Sequence, residues 1–212
     1  MKIFPPFLFR ASTASLLISA SSWLAGADEG SPQWLEPSDP AIADQINDAK
    51  ATLQILVTNL SSALTQAVQE GGPTNGVEVC QTQAPALTYQ SKQDGPSAVT
   101  AVKRTSLQVR NPANSPDPAE QDALDRVARI ISTGKPLPPL LVQELAGPSG
   151  EPEEIRVYKP LSVAAQCLAC HGDSDSFSAD LRNTLAQRYP LDTATGYAEG
   201  DWRGLIRISV TP

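Results

Sequence analysis

Leu205-Ile206-Arg207-Ile208-Ser209-Val210 alternates apolar and polar residues with the period of two that a β-strand imposes on its faces. Ile206, Ile208 and Val210 mark a core face and Arg207 and Ser209 the other, so the segment reads as a half-buried terminal strand. Upstream, residues 140–145 and 155–161 have the same strand character and are joined by a Gly/Pro/Glu-rich turn, which predicts a β-hairpin. Alternation over residues 99–103 predicts a further strand. Residues 104–118, with Asn111-Pro112-Ala113-Asn114 at their centre, read as a structured loop holding Arg104 and Arg110.

Helical periodicity precedes and interrupts these strands. Asp39-Pro40 is a good helix start, and Ile42, Ile46, Ala49, Leu53, Val57, Leu60, Leu64 and Val68 then recur in steps of three and four. Gly71-Gly72-Pro73 ends that helix. A second is expected over residues 75–89, with Val77, Cys80, Ala84 and Leu87 on one inward face and a kink at Pro85. Asp117-Pro118 opens a third through Leu124, Val127 and Ile131, and residues 178–188 read as a short fourth. The expected fold is α+β, antiparallel strands with helices packed on one face.

The 212 residues are 41% hydrophobic and 18% charged, the composition of one globular domain with a core of its own. Nineteen Pro and 13 Gly are too few for a collagenous or low-complexity chain. Sixteen basic against 23 acidic residues give a net charge of −7 with no basic block, which leaves nucleic-acid binding without its electrostatic drive.

At the N-terminus, Lys2 and Arg10 bracket a basic start, an apolar run over residues 11–24 follows, and Ala25-Gly26-Ala27 supplies a small-x-small cleavage site. Residues 1–27 therefore read as a cleavable signal peptide that delivers the chain to the periplasm or another extracytoplasmic space. The run is shorter than the roughly 20 residues that span a bilayer, and no lipoprotein cysteine follows it. Residues 28–38 read as a tether and residues 39–212 as a single domain. The mature chain carries 14 basic and 23 acidic residues, a net of −9. No second apolar stretch follows, so no stable membrane span is expected after cleavage.

The chemistry is concentrated in Cys167-Leu168-Ala169-Cys170-His171. C-x-x-C-H in an exported chain is the attachment signature of c-type haem: two thiols form thioethers with the haem vinyl groups, and the adjoining His reaches the iron. A Cys167–Cys170 disulfide or redox pair would leave His171 unexplained. Zinc held by Cys80, Cys167, Cys170 and His171 has the right ligand count, but adjacent Cys170 and His171 would both have to turn onto one ion. His171 is the only histidine, and the only methionine, Met1, leaves with the signal peptide. Two-histidine and His/Met ligation are thereby excluded. Cys80, a Lys or Tyr side chain, an amine, water or an open position remain for the second axial site, and Cys80 is the one thiol left over.

Several motifs in one order resemble a bacterial family of periplasmic c-type haem domains with a PAS-like fold, found free-standing or as the extracytoplasmic part of sensor kinases. They are Gly76-Val77-Glu78-Val79-Cys80 with Ala84-Pro85; Arg104-Thr105-Ser106-Leu107 with Arg110-Asn111-Pro112-Ala113-Asn114; Tyr158-Lys159-Pro160; Cys167 to Gly172; Arg188-Tyr189-Pro190; Ala194-Thr195-Gly196-Tyr197; and Gly200-Asp201. The likeness runs from about Asp39 to the end. It implies a PAS-like sheet with a long N-terminal helix, one haem on Cys167 and Cys170, His171 as an iron ligand, and Cys80 as a second ligand or pocket residue. Arg104 and Arg110, in a motif loop, are candidates either for haem propionates or for bracing that loop.

Two functions follow from these expectations. A redox or small-ligand sensor would change ligation with the iron state and pass the change to a signalling partner. A low-potential electron carrier would keep both ligands and dock on a redox partner. A haem enzyme such as a peroxidase is a third reading, without a catalytic motif behind it.

Overall fold

The structure is a computed structural model that describes residues 32–212. The signal peptide expected over residues 1–27 lies outside the described residues. Five strands, β1 (Gln33–Leu35), β2 (Val99–Thr105), β3 (Leu141–Ala146), β4 (Pro152–Ser162) and β5 (Trp202–Val210), form one antiparallel sheet in the order β1-β3-β4-β5-β2. The helices are α1 (Ala43–Thr82), α2 (Ala84–Asp94), α3 (Pro118–Ser132), the single turn α4 (Leu168–His171) and α5 (Ala179–Arg188). The architecture is α+β and PAS-like, with the long N-terminal helix, the flanking helices and the β3–β4 hairpin expected from the sequence.

Helices cover both faces of the sheet, not one. On the first face, Ile42, Ile46, Ala49 and Leu56 pack against Val142, Ile155, Val157, Ile206, Ile208 and Val210. On the second, Ala123, Leu124 and Val127 of α3 pack against Leu141, Tyr158 and Leu205. Full burial of each Val, Leu or Ile among them contributes about 1.5–3 kcal/mol. The terminal strand β5 is therefore buried on both sides rather than half-buried. Arg207 and Ser209 are inside because α3 lies over them, and Arg207 is compensated by Glu120 at 3.2 Å and Glu154 at 3.4 Å. Glu120 also closes the capping box of α3 with Asp117 and takes Lys103 at 2.6 Å.

Gly71 and Gly72 break α1 into two arms. Gly72 has φ +70° and ψ −170°, a conformation open in practice to glycine alone, and Pro73 follows it at the start of the second arm. A Cβ on Gly76 would come within 2.9 Å of Val68 Cγ2 and 3.2 Å of a Leu64 methyl. At 1.5 Å rise per residue a straight helix holds such positions more than 10 Å apart, so the second arm must fold back along the first. Asn75 Nδ2 donates to the Ala67 carbonyl across the turn at 2.9 Å, and at the far end a Cβ on Gly95 would strike Thr52 Oγ1. The returning arm is also interrupted beside Pro85, where a kink was expected: α1 ends at Thr82, Gln83 caps both helices, and α2 carries Pro85 in its first turn and runs on to Asp94.

Two further differences from the sequence reading concern the site's surroundings. Within the stretch read as tether, Gln33–Leu35 pairs with β3 as an edge strand, and Trp34 packs under the Arg126 guanidinium at 4.6 Å. Arg104 belongs to β2 rather than to the following loop.

Candidate functional site

The C-x-x-C-H run follows β4 through Val163, whose N–H donates to the Asp201 carbonyl at 2.8 Å. A short 3-10 turn, Ala165–Cys167, leads into α4, so Cys167, Cys170 and His171 all lie on about two turns of helix. Both cysteines are partly buried free thiols, and the third free thiol, Cys80, is also partly buried. The Cys167–Cys170 disulfide weighed from the sequence is not formed.

The second arm of α1 meets α4 and α5 in a small core of its own: Val77, Phe177, Leu181, Leu185 and Tyr189, with Cys170 against its edge. Arg188 holds α5 there by donating to Gln81 Oε1 at 2.7 Å and pairing with Glu78 at 3.4 Å. Cys170 Sγ lies 3.7 Å from the Pro73 carbonyl at the start of the arm, and Cys80 is two turns further along it. The fold thus brings Cys80 into the charge environment of Cys170, ninety positions away in the chain. Burial pushes the Cys80 thiol up, and the Arg104 and Arg110 guanidinium groups pull in the opposite direction.

His171 Nδ1 is 2.7 Å from the carbonyl oxygen of Ala194. A carbonyl only accepts, so Nδ1 carries the proton and donates it. Burial first, then the positive charges of Arg110 and Arg203, hold the imidazolium form down to about pH 3, so the ring is neutral at ordinary pH. The Nε2 lone pair is consequently free of the ring's proton. A backbone carbonyl that takes the Nδ1 proton in this way fixes the tautomer and the ring orientation of histidine ligands to metals.

The segment that supplies the Ala194 carbonyl is itself fixed. Tyr197 N–H donates to the His171 carbonyl at 3.0 Å and Gly196 N–H to the Gly172 carbonyl at 2.8 Å. Arg110 ties both strands of this arrangement together: it pairs with Asp192 through Nε at 2.9 Å and donates from Nη2 to the carbonyls of Cys170 and Ala194. Its role here is to brace the loop. Tyr197 stands edge-on to the imidazole, with ring centroids 6.3 Å apart and planes at 84°. Its flank lines a cleft of about 380 Å³ together with Leu107, Ile131, Trp202 and Arg203.

Among the described residues no three His, Cys, Asp or Glu side chains converge on a point where a metal ion could sit, so the four-ligand zinc site weighed above is not formed. The donor set instead fits a group that brings its own equatorial ligands: two free thiols beside a neutral imidazole with one nitrogen already occupied, and a third thiol nearby. Ala194, Asp192 and Arg203 were not singled out as site residues. Ala194 acts through a backbone carbonyl, which no side-chain pattern reveals, and only its place in the Ala194-Thr195-Gly196-Tyr197 motif pointed to it.

A family model described as Tll0287-like matches residues 38–211. Among solved structures, the crystal structure of the cyanobacterial heme-protein Tll0287 is similar to this chain with a TM-score of 0.52 at 20% identity, covering 82% of this chain and 97% of that one. That likeness is one of fold. No curated protein matches.

Proposed function

Since the chain belongs to the Tll0287-like family, we propose that it carries one covalently attached haem c on Cys167 and Cys170, with His171 and Cys80 as iron ligands, and acts outside the cytoplasm as a redox or small-ligand sensor. The observation that carries this reading is the His171 Nδ1 to Ala194 hydrogen bond of 2.7 Å, which orients a neutral imidazole with Nε2 free, directly beside two free thiols. The haem of the similar cyanobacterial protein supports it. When bound, the haem supplies one-electron chemistry at iron and, where a coordination position opens, a site for a diatomic ligand.

The chain's own residues determine how that chemistry responds. Cys167 and Cys170 would hold the group by adding their S–H bonds across its vinyl groups. His171, its ring held by the Ala194 carbonyl, would present Nε2 to the iron. Cys80 is the responsive element. Burial disfavours its thiolate, so the anion persists only while a strong positive charge faces it. With one positive charge fewer facing it, the Cys80 sulfur would take up a proton, which would make it the redox-responsive residue of the site. A non-catalytic sensor of this kind passes its state to a separate signalling or redox protein.

A second reading, low-potential electron transfer, draws on the cleft beyond Tyr197, where the partly exposed Leu107 and Ile131 lie beside Arg203 close to His171. Absorption and electron paramagnetic resonance spectra of the purified ferric and ferrous protein separate the two. The sensor reading expects a low-spin ferric form with thiolate character, a midpoint potential well below that of His/Met cytochromes, and carbon monoxide uptake only after reduction. Cys80→Ala then gives a high-spin or water-ligated ferric form and a raised potential. A variant with the parent's spectrum and potential would leave Cys80 a packing residue and favour electron transfer with another ligand.

A further inference from the structure

Arg104 is the penultimate residue of β2 and pairs with Ile206, which puts its side chain on the sheet face covered by the helical hairpin that carries Cys80. Its Nε is buried without a hydrogen-bond partner, and the side chain forms no ion pair among the described residues. Its neighbours differ in this respect. Arg110 is engaged by Asp192 and two carbonyls. Arg203 donates to Ser106 Oγ and the Gln108 carbonyl and lies over the Tyr197 ring at 5.3 Å. Arg188 pairs with Glu78.

A guanidinium whose Nε is buried without a partner and that has no anion beside it is unfavourable, and arginine cannot relieve this by losing a proton at any pH the protein meets. The ionisable groups whose charge reaches Arg104 are the Cys80 thiol and the Tyr189 phenol, and neither is a carboxylate. The described residues therefore supply this cation with no carboxylate. Its planar fork is the donor geometry that matches a carboxylate with two parallel hydrogen bonds.

We propose that Arg104 is the anchor for a propionate carboxylate of the bound haem, its unpartnered Nε and adjoining nitrogen forming the two-pronged contact. The assignment rests on the haem reading above. It makes Arg104 and Arg110, twin candidates in the sequence, different in kind: Arg110 braces the polypeptide and Arg104 holds the ligand.

Resonance Raman spectra of the holoprotein test it through the propionate bending band, whose frequency rises with the strength of hydrogen bonding to the carboxylate. Arg104→Gln shifts that band to lower frequency. Arg104→Lys shifts it less in the same direction, since an ammonium keeps the charge and loses the fork, and this variant carries the comparison if Arg104→Gln fails to mature. An unmoved propionate band in a variant with attached haem overturns the assignment. So does a change confined to the iron–ligand bands, which would mean that Arg104 serves Cys80 instead. Absence of any haem signal in the parent overturns the haem reading together with this one, whereas haem with an unmoved propionate band overturns this one alone.

Discussion

Arg110 and Cys170, sixty positions apart in the chain, are joined by a 2.6 Å hydrogen bond from the guanidinium Nη2 to the cysteine's carbonyl oxygen. The same nitrogen reaches Ala194, the residue that orients His171, so one side chain holds the C-x-x-C-H helix and its facing loop in register. Arg110→Ala removes these bonds and strands the partly buried Asp192 carboxylate. Hydrogen bonds to charged groups contribute about 1.5–3 kcal/mol each, so the melting temperature falls. The informative readout is the iron: heterogeneous ferric resonance signals are expected in Arg110→Ala and partial recovery in Arg110→Lys. Lower stability with unchanged ferric signals would mean that Arg110 has no part in orienting His171.

His171→Ala removes the only histidine in the chain. The expected product keeps thioether-bound haem and loses the parent's ferric ligation, which absorption spectra of the attached variant report. An unchanged ferric spectrum would exclude His171 as a ligand.

Gly72→Ala places a Cβ where φ is +70° and ψ −170°. No neighbouring atom obstructs that Cβ, so the penalty is one of backbone conformation. It is about 1–3 kcal/mol, read as a lower urea midpoint without a change in slope. A midpoint equal to the parent's would show that the two arms of α1 can turn without a glycine-only conformation.

Asp117 gives a pH dependence with a defined sign. Burial alone would raise its carboxyl, but the Glu120 backbone N–H and the Arg156 guanidinium at 2.8 Å outweigh that and hold it below its ordinary value. A carboxyl depressed in the folded state contributes stability that is complete above its unfolded value of about 4 and is lost as pH falls through the folded value. Asp117→Asn should therefore flatten the acid limb of the stability curve below about pH 4 and lower stability at neutral pH. An acid limb identical to the parent's would contradict this. Asp117→Ala removes the cap as well, a further cost of about 1–2 kcal/mol.

The sequence carried most of the helical pattern because each helix buries a continuous apolar stripe. Ile46, Ala49 and Leu56 are periodic since they meet the sheet, and Gly71-Gly72-Pro73 marked the turn by its own backbone chemistry. What escaped is set by distant partners. Gln33–Leu35 is a strand only because β3 offers it a free edge, and Pro32 and Pro37 on either side suggested a tether. Arg207 and Ser209 looked solvent-facing because alternation cannot distinguish a charge in water from one compensated by Glu120 and Glu154 inside. At the site, the period of the second arm turned Cys80 inward, but only the fold-back at Gly72 brings that face to Cys170.

The measurement that bears most directly on the central claim is the intact mass of the denatured protein, produced by export in a host with haem-attachment machinery. The expected mass is that of the chain beginning at Asp28 plus one haem, the haem being stable to acid-acetone extraction and absent from a Cys167→Ala/Cys170→Ala variant. A mass equal to the bare polypeptide, with haem passing into the solvent, would contradict it.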